Sequence, residues 1–533
     1  MTSVIQNIIA FSQKPFKENL SFFLRMWLLV SAADVFFWSI HGDPIFGAYM
    51  GIHGFVYVYV IVLVYGIFEG GAKRIYQIAF IALGLLNLIA DSFAHYILHT
   101  GFTKEIVAII RGTNPNEGTE FMSLYLKPDI IAFIIICIAL LPVINWLVKK
   151  KSVVERVRWI PSFLSVILLL SVGYIGFRHS KNWETVFLHK ILLFKSYNPP
   201  VELTPYRSTP SIQTNGDSPT IIALIIGESL SRNHCSLYGY DKITTPRLAK
   251  MVDDSLVYTF SNVSAAYYMT GGAFPLMMST YSGSDNDIDH WYESILWEDI
   301  TTAMGYRSVW ISNQSSSGLY DNPVARIAEL SDSLIWVGTK GLGFSKTDHD
   351  EGLITPVQGI IRNCDGRKTL LVIHLMGQHE EFSKRYSDGF KVFHAQDYMN
   401  RPNNQRQVFA DYDNAVLYGD WVVSELMNSF SDQEAIVFFF PDHALDIFDS
   451  DPSYVGHARP IDSLSVQAGL RIPFFIYTTK QYRKHFPDKI ARIIDAVDKP
   501  YNTEDIFYTI MDVANASFTD NPTIVKERSL LSQ

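Results

Sequence analysis

The stretch 437–448, VFFFPDHALDIF, runs apolar to a proline and then presents Asp442 and His443 side by side. A carboxylate next to an imidazole is a pair of ligands for a borderline divalent cation. The pattern recurs. The apolar run 220–226 is followed by Glu228, the run 308–311 by Asn313-Gln314, and the run 369–374 opens into HLMGQH, with His374 and His379. Each such residue taken singly reads as a cap or a satisfied polar group. Four runs ending in ligand types within one stretch of chain predict a metal site. The donors include no thiolate, so zinc held by them is strongly Lewis acidic, and manganese suits the same set. A nucleophile candidate lies in NVSAAYYMTGGAFP, where Thr270 precedes Gly271-Gly272 and a helix start. A metal can deprotonate a hydroxyl there while helix N–H groups receive an anion. An ordinary N-cap is the structural alternative. Ser229 and Ser231 are rival nucleophiles, and spacing leaves the three open.

The elements that must position these residues follow from the apolar pattern. Runs at 220–226, 308–311, 369–374, 435–440 and, shorter, 473–477 are apolar on both faces. Helical stretches such as 410–430 separate them. This predicts a largely parallel sheet covered by helices, an α/β domain over 220–533. In open sheets of this kind ligands bind beyond the carboxyl ends of the strands, where the candidate ligands fall. Residues 178–219, with Asn-Pro-Pro, Thr-Pro and Asn-Gly-Asp signals, read as a linker that includes a short amphipathic helix near 183–194 on the membrane surface.

The first third differs. A bilayer core needs about 20 apolar residues in helix, and five segments qualify: 21–40, 46–68, 75–98, 128–148 and 159–177. None has the form of a cleaved signal peptide. Lys14 and Lys17 precede the first span. Lys73 and Arg74 lie between the second and third, and Lys149, Lys150, Lys151, Arg156 and Arg158 between the fourth and fifth. Positive loops on alternate connections belong in the cytoplasm, so an odd span count puts the α/β domain on the far side, the periplasm in a bacterium. The transmembrane domain is thus 1–177, with an outer loop at 99–127. Asp34, Asn87 and Asp91 sit inside spans, where helix-to-helix hydrogen bonding is favoured over a functional role. The acidic outer loop, with Thr113, Glu117 and Glu120, is a candidate amine site or a solvated loop.

Composition excludes some classes. Apolar residues make up 48% of the 533, and the net charge of −9 with no basic stripe excludes a nucleic-acid binder. The three cysteines, Cys137, Cys235 and Cys364, match no metal motif, so free or structural thiols are expected.

Taken together, GESLSRNHCSLYGYDKITTPRL, NVSAAYYMTGGAFP, HLMGQH, DYDNAVLYGD, PDH and GHARP resemble the membrane-bound phosphoethanolamine transferases of the alkaline phosphatase and sulfatase superfamily. The outer loop TNPNEGTEF is similar to a segment of that family too. The resemblance implies an alkaline-phosphatase-like fold after five spans, in a multi-pass inner-membrane protein. It implies zinc at Glu228, Thr270, Asp442 and His443, with Thr270 the nucleophile and a second zinc as an alternative count. It implies His379 and His457 around the phosphoryl group, as acid or base and substrate contacts, and Thr113 and Glu117 in the donor site. Asn313, at a strand end, is added as a substrate-binding candidate. The implied reaction runs from phosphatidylethanolamine through a covalent phosphoethanolamine-threonine to a lipopolysaccharide or lipooligosaccharide acceptor. The chain is expected to act as a monomer among membrane lipids.

The chain departs from the family pattern in places. Relatives often read Ser-Asp-His-Gly-Glu where this chain has Pro441-Asp442-His443-Ala444-Leu445. Ile109 stands where relatives often carry asparagine, and 312–318 lacks a lysine of the lipid A-modifying members. Most of the disulfide cysteines of those members are missing as well. These differences lean towards a core-sugar acceptor such as heptose. A sulfatase activity is rejected, because the nucleophile segment is Met269-Thr270-Gly271-Gly272-Ala273. A phosphoglycerol transferase acting on a glycan or teichoic acid, and a non-enzymatic membrane sensor with a degenerate phosphatase-like domain, are the alternatives.

Overall fold

The computed structural model describes residues 2–40, 44–98, 126–149, 210–282, 288–314, 323–337, 349–459 and 462–532, with isolated positions at 102, 106, 107, 110 and 190. The chain divides into two compact units, one within residues 1–198 and one holding residues 199–533.

The first unit is helical. Helices α1 (Leu20–Ile40), α2 (Pro44–Tyr65), α3 (Gly70–Leu98) and α4 (Pro128–Val148) follow in order. These four, among the described residues, are long and apolar enough to cross a membrane. Four of the five expected spans are therefore present among the described residues; the fifth, 159–177, lies outside them. Most of the amphipathic segment and of the outer loop, including Thr113, Glu117 and Glu120, lies outside them as well. Aromatic side chains fill the centre, with Phe16 tilted on Phe23 at 5.1 Å and stacked on Tyr59 at 5.7 Å. Ile45, Ile75 and Ile135 point outward and exposed, a pattern that suits hydrocarbon and would be a liability in water. The intramembrane acids pair between and along helices. Asp34 on α1 meets His95 on α3 at 2.7 Å, and Asn87 donates to Asp91 at 2.8 Å. Lys190 reaches Asp91 at 2.5 Å and Asn87 at 2.7 Å. The Asp34–His95 pair is the helix-to-helix contact expected of buried polar groups in a bundle.

The second unit is built on a seven-stranded sheet. Its elements are β1 (Ile221–Gly227), β2 (Val257–Thr259), α5 (Thr270–Met277), β3 (Arg307–Ser312), β4 (Ser333–Trp336), β5 (Thr369–His374), α6 (Asn403–Asn428), β6 (Ala435–Pro441) and β7 (Phe475–Thr478). The order across the sheet is β2-β7-β6-β1-β5-β3-β4. Strands β6, β1, β5, β3 and β4 run parallel, whereas β7 is antiparallel to both β6 and β2. The expectation of a largely parallel sheet holds, with β7 the exception. Continuous apolar runs arise because both faces are covered. In β1, Ile222, Leu224 and Ile226 join one core with Phe274, Trp310 and Phe438. Ile221, Ala223 and Ile225 join the other, with Tyr412, Val416 and Val423 of α6. Strands β2 and β4 are edge strands of three and four residues, too short to leave a periodic signal. Residues Ile212–Thr214 pair antiparallel with Ala516–Phe518, so the end of the linker stretch is stitched to the second unit.

Candidate metal centre and active site

The register of the three central strands sets the site. Ile226 pairs with His374 on one side and with Phe440 on the other, and Gly227 pairs with Pro441. Strands β1 and β6 therefore end level, and the residues after them, Glu228 and Asp442-His443, emerge side by side. Asp442 N–H donates to Gly227 O at 3.0 Å, which fixes that alignment. Ligand atoms of Glu228, Asp442 and His443 all lie within 4.8 Å of one another, and all three residues are buried.

Each ligand is aimed by its neighbours. His443 Nδ1 is 2.9 Å from Ala444 O, so the ring donates there and turns Nε2 inward, the usual arrangement of a metal-binding imidazole. Nε2 is 3.1 Å from Glu228 Oε1 and 3.7 Å from Asp442 Oδ2. Asp442 Oδ1 accepts from His443 N–H at 2.7 Å, while its Oδ2 is buried with no hydrogen-bond partner among the described residues. A buried carboxylate oxygen left bare is costly, and a cation in this pocket would satisfy it. Glu228 Oε1 accepts from Ser229 Oγ at 2.7 Å.

Three further residues hold the Glu228 loop, and sequence reasoning did not single them out. Ser229 has φ +60, a strained conformation for a residue with a side chain. Tyr412 Oη clamps it, donating to Ser229 O at 2.8 Å and accepting from Ser231 N–H at 2.8 Å. Gly377, at φ +53, packs so closely that a Cβ there would sit 2.6 Å from Glu228 O and 2.7 Å from Glu228 N. Asp350 braces this turn by accepting from Met376 N–H at 2.8 Å and Gly377 N–H at 2.9 Å. The signals were DYDNAVLYGD and HLMGQH, but a tyrosine or glycine within them carries no mark of what it touches. Replacing Gly377 with alanine is expected to cost about 3 kcal/mol, from the left-handed conformation plus overpacking against backbone. A thermal melt checks this; a Tm within a degree of the parent protein would refute it.

Thr270 is the first residue of α5, and Met269 is the N-cap. Its Oγ1 lies 3.2 Å from His443 Nε2 and 3.3 Å from Glu228 Oε2, so the hydroxyl faces the ligand cluster instead of capping the helix. A Cβ on Gly271 would meet nothing within 4 Å, leaving open space beside the hydroxyl, whereas Gly272 is pressed against Tyr267. The rival hydroxyls are engaged in the loop itself. Ser229 donates to Glu228, and Ser231 Oγ accepts from Asn233 N–H at 3.3 Å.

His457 stands beside the cluster, its ring centroid 5.0 Å from that of His443. His379 lies on the loop after β5, where burial pushes its pKa down to about 4 against the pull of Glu228. It is therefore neutral at physiological pH. Asn313, expected as a substrate contact, has a structural partner. It is buried, and its Nδ2 donates to Asp350 Oδ1 at 2.9 Å, so it braces the 376–377 turn. Gln314 instead extends towards the cluster, 3.5 Å from Glu228 Oε2. Cys137, Cys235 and Cys364 are free and buried, as expected.

The electrostatics couple the three ligands tightly. Burial opposes charge on Glu228, yet the adjacent His443 holds its carboxyl below the ordinary range. Burial and the Glu228 charge push Asp442 up to about 8. His443 rises to about 9, because Asp442 and Glu228 outweigh its own burial. The residues present fit a divalent metal. Glu228, Asp442 and His443 supply oxygen and nitrogen donors, and Thr270 a fourth oxygen.

A family profile described as Sulfatase matches residues 220–516. A curated relative, phosphoethanolamine transferase EptC of Escherichia coli O18:K1:H7, is 23% identical over 478 residues, covering 84% of this chain and 81% of its own. The integral membrane lipooligosaccharide phosphoethanolamine transferase A of Neisseria meningitidis superposes with a TM-score of 0.69 at 19% identity, covering 96% of this chain and 98% of that one. The periplasmic domain of Escherichia coli EptC, solved in complex with Zn, gives a TM-score of 0.55 at 23% identity, over 61% of this chain and 90% of that one.

Proposed function

The chain belongs to the sulfatase family, and from that premise we propose that it transfers phosphoethanolamine from phosphatidylethanolamine to a lipopolysaccharide or lipooligosaccharide acceptor. The reaction passes through a covalent phosphoethanolamine on Thr270. The observation that carries this reading is Thr270 Oγ1, within 3.3 Å of both His443 and Glu228 at the mouth of the ligand cluster. The names of the relatives supply the transferred group and the class of acceptor.

Glu228, Asp442, His443 and Thr270 would hold zinc, with one ion as the minimal count. The metal, when bound, supplies Lewis acidity to the threonine hydroxyl and to a phosphoryl oxygen. The chain's own residues do the rest. Thr270 attacks phosphorus from the start of α5, the bond from phosphorus to the glyceryl oxygen breaks and diacylglycerol leaves with the proton that Thr270 gives up, while the start of the helix favours the incoming anion. His379 and His457 bracket the phosphoryl position and move the protons. The catalytic unit is periplasmic, and the apolar helices anchor it in the inner membrane, where a lipid donor and a lipid-linked acceptor both reside. Thr113 and Glu117 are assigned to the ethanolamine donor by the family resemblance alone. A core sugar is favoured over lipid A, on the strength of Pro441, Ala444 and the missing lysine in 312–318.

Mass spectrometry of envelope glycolipids from cells with and without the protein tests the reading. A gain of one phosphoethanolamine on a core sugar is expected. A glycerophosphate gain, or no gain on any glycolipid, refutes it.

A further inference from the structure

The fold treats the two histidines assigned above to proton transfer, His379 and His457, differently. His379 Nδ1 has no hydrogen-bond partner among the described residues. His457 Nδ1 faces Glu380 Oε1 at 3.5 Å. Glu380 is a buried acid, with its side chain 9% exposed against 28% for His457. A carboxylate is seldom buried without a task for its charge.

Its setting is rigid. Arg385, also buried, donates from Nε to His379 O and Glu380 O at 3.1 Å each, and from Nη2 to Glu380 O at 2.8 Å. One guanidinium thus fixes the backbone that carries both His379 and Glu380. On the other side, Tyr454 Oη donates to His457 O at 2.6 Å. The acid and the imidazole are therefore held facing each other by separate clamps, one on each segment. The separation of 3.5 Å is longer than an ideal hydrogen bond, as catalytic contacts often are before substrate binds.

We propose that Glu380 is a positioning residue that makes His457, not His379, the base of the acceptor step. This rests on the phosphoethanolamine transfer proposed above. With Nδ1–H donating to Glu380, the lone pair of His457 is fixed on Nε2, free to accept a proton, the logic of a carboxylate that orients a general-base histidine. The acceptor hydroxyl then gives its proton to His457 Nε2 as its oxygen bonds to phosphorus. The bond from phosphorus to Thr270 Oγ1 breaks, the electron pair stays on Oγ1, and the proton returned by His457 restores the threonine hydroxyl. The first half-reaction, in which Thr270 attacks the donor, does not use Glu380.

Quenched-flow intact-mass analysis of the full-length protein in phosphatidylethanolamine-containing vesicles tests this. Adduct on Thr270 is followed first with donor alone and then after adding purified lipooligosaccharide. In Glu380→Gln the adduct is expected to form at the parent rate and to decay about 10-fold to 100-fold more slowly. Glu380→Asp recovers part of that loss. In a His457→Gln background, Glu380→Gln adds nothing further, because the two act as one unit. Unchanged decay in Glu380→Gln overturns the proposal. So does full additivity with His457→Gln, which marks Glu380 as merely structural. Rapid transfer by the parent protein with no adduct on Thr270 instead overturns the underlying reaction scheme, an outcome distinct from either.

Discussion

Replacing Thr270 with alanine is expected to abolish turnover while leaving the fold and the other three ligands, Glu228, Asp442 and His443, in place. The helix does not depend on the hydroxyl. Thr270 occupies the first helical position, the N-cap is Met269, and that cap makes no side-chain hydrogen bond. Alanine is the best helix former and needs no added space. The substitution therefore removes only Oγ1, the oxygen 3.2 Å from His443 and 3.3 Å from Glu228. Loss of a covalent nucleophile typically costs at least about 10⁴-fold in kcat. Thr270→Ser, which keeps an oxygen at the same place, is expected to retain measurable activity and to carry the adduct itself. Steady-state transfer assays on detergent-solubilised protein decide the matter. Activity in Thr270→Ala within tenfold of the parent value would move the nucleophile elsewhere or make the domain a sensor. A transferase that uses Thr270 cannot survive this change.

How far the sequence foretold the site depends on which physical quantity each residue expresses. Glu228, Asp442 and His443 were legible because an apolar run that stops at a ligand type is a one-dimensional signature of a strand end. The register that brings those ends level, Gly227 against Pro441, is a contact across more than 200 residues of chain and leaves no local trace. The same limit hid Tyr412 and Gly377, whose roles exist only where α6 and the loop after β5 meet the Glu228 turn. The bracing role of Asn313 was hidden for a related reason. A polar residue at a strand end reads as facing ligand, but its amide is drawn inward by Asp350, an acid that follows a stretch with no periodic signal. Pro441 and Ala444, atypical beside the metal pair, become intelligible as backbone. Pro441 closes β6 without needing an N–H, and Ala444 contributes its carbonyl to His443 and its N–H to Gly469 O at 2.8 Å. Neither role asks for a serine at 441 or a glycine at 444. The membrane third was legible throughout its described length because hydropathy alone encodes it. Its internal pairing of Asp34 with His95 was not, since partners on different helices share no spacing rule.

The protonation of the ligand cluster predicts a steep pH dependence for metal affinity. At pH 7, without metal, Glu228 is ionised, Asp442 is mostly protonated with its pKa near 8, and His443 is charged with its pKa near 9. The buried net charge of the three is zero. A divalent ion bound by two carboxylates and a neutral imidazole also sums to zero. The metal therefore exchanges for two protons at constant buried charge, which avoids the large cost of burying net charge. The sign follows from competition. Protons occupy the ligands at low pH and weaken metal binding, so affinity rises with pH. With two protons displaced, affinity is expected to climb roughly 100-fold per pH unit below about pH 8, about tenfold per unit from there to pH 9, and to level off above. Calorimetric titration of the metal-stripped, full-length protein with zinc, repeated in buffers of different ionisation enthalpy, reads the proton count directly. Asp442→Asn removes one titrating acid, so its titration should release about one proton. Chelation at pH 6 is accordingly far faster and more complete than at pH 8, and it leaves a protonated cluster that need not unfold. A flat affinity profile across this range, or release of no protons, would mean that the three side chains reach the folded state already deprotonated, and the charge balance inferred from their burial would fail.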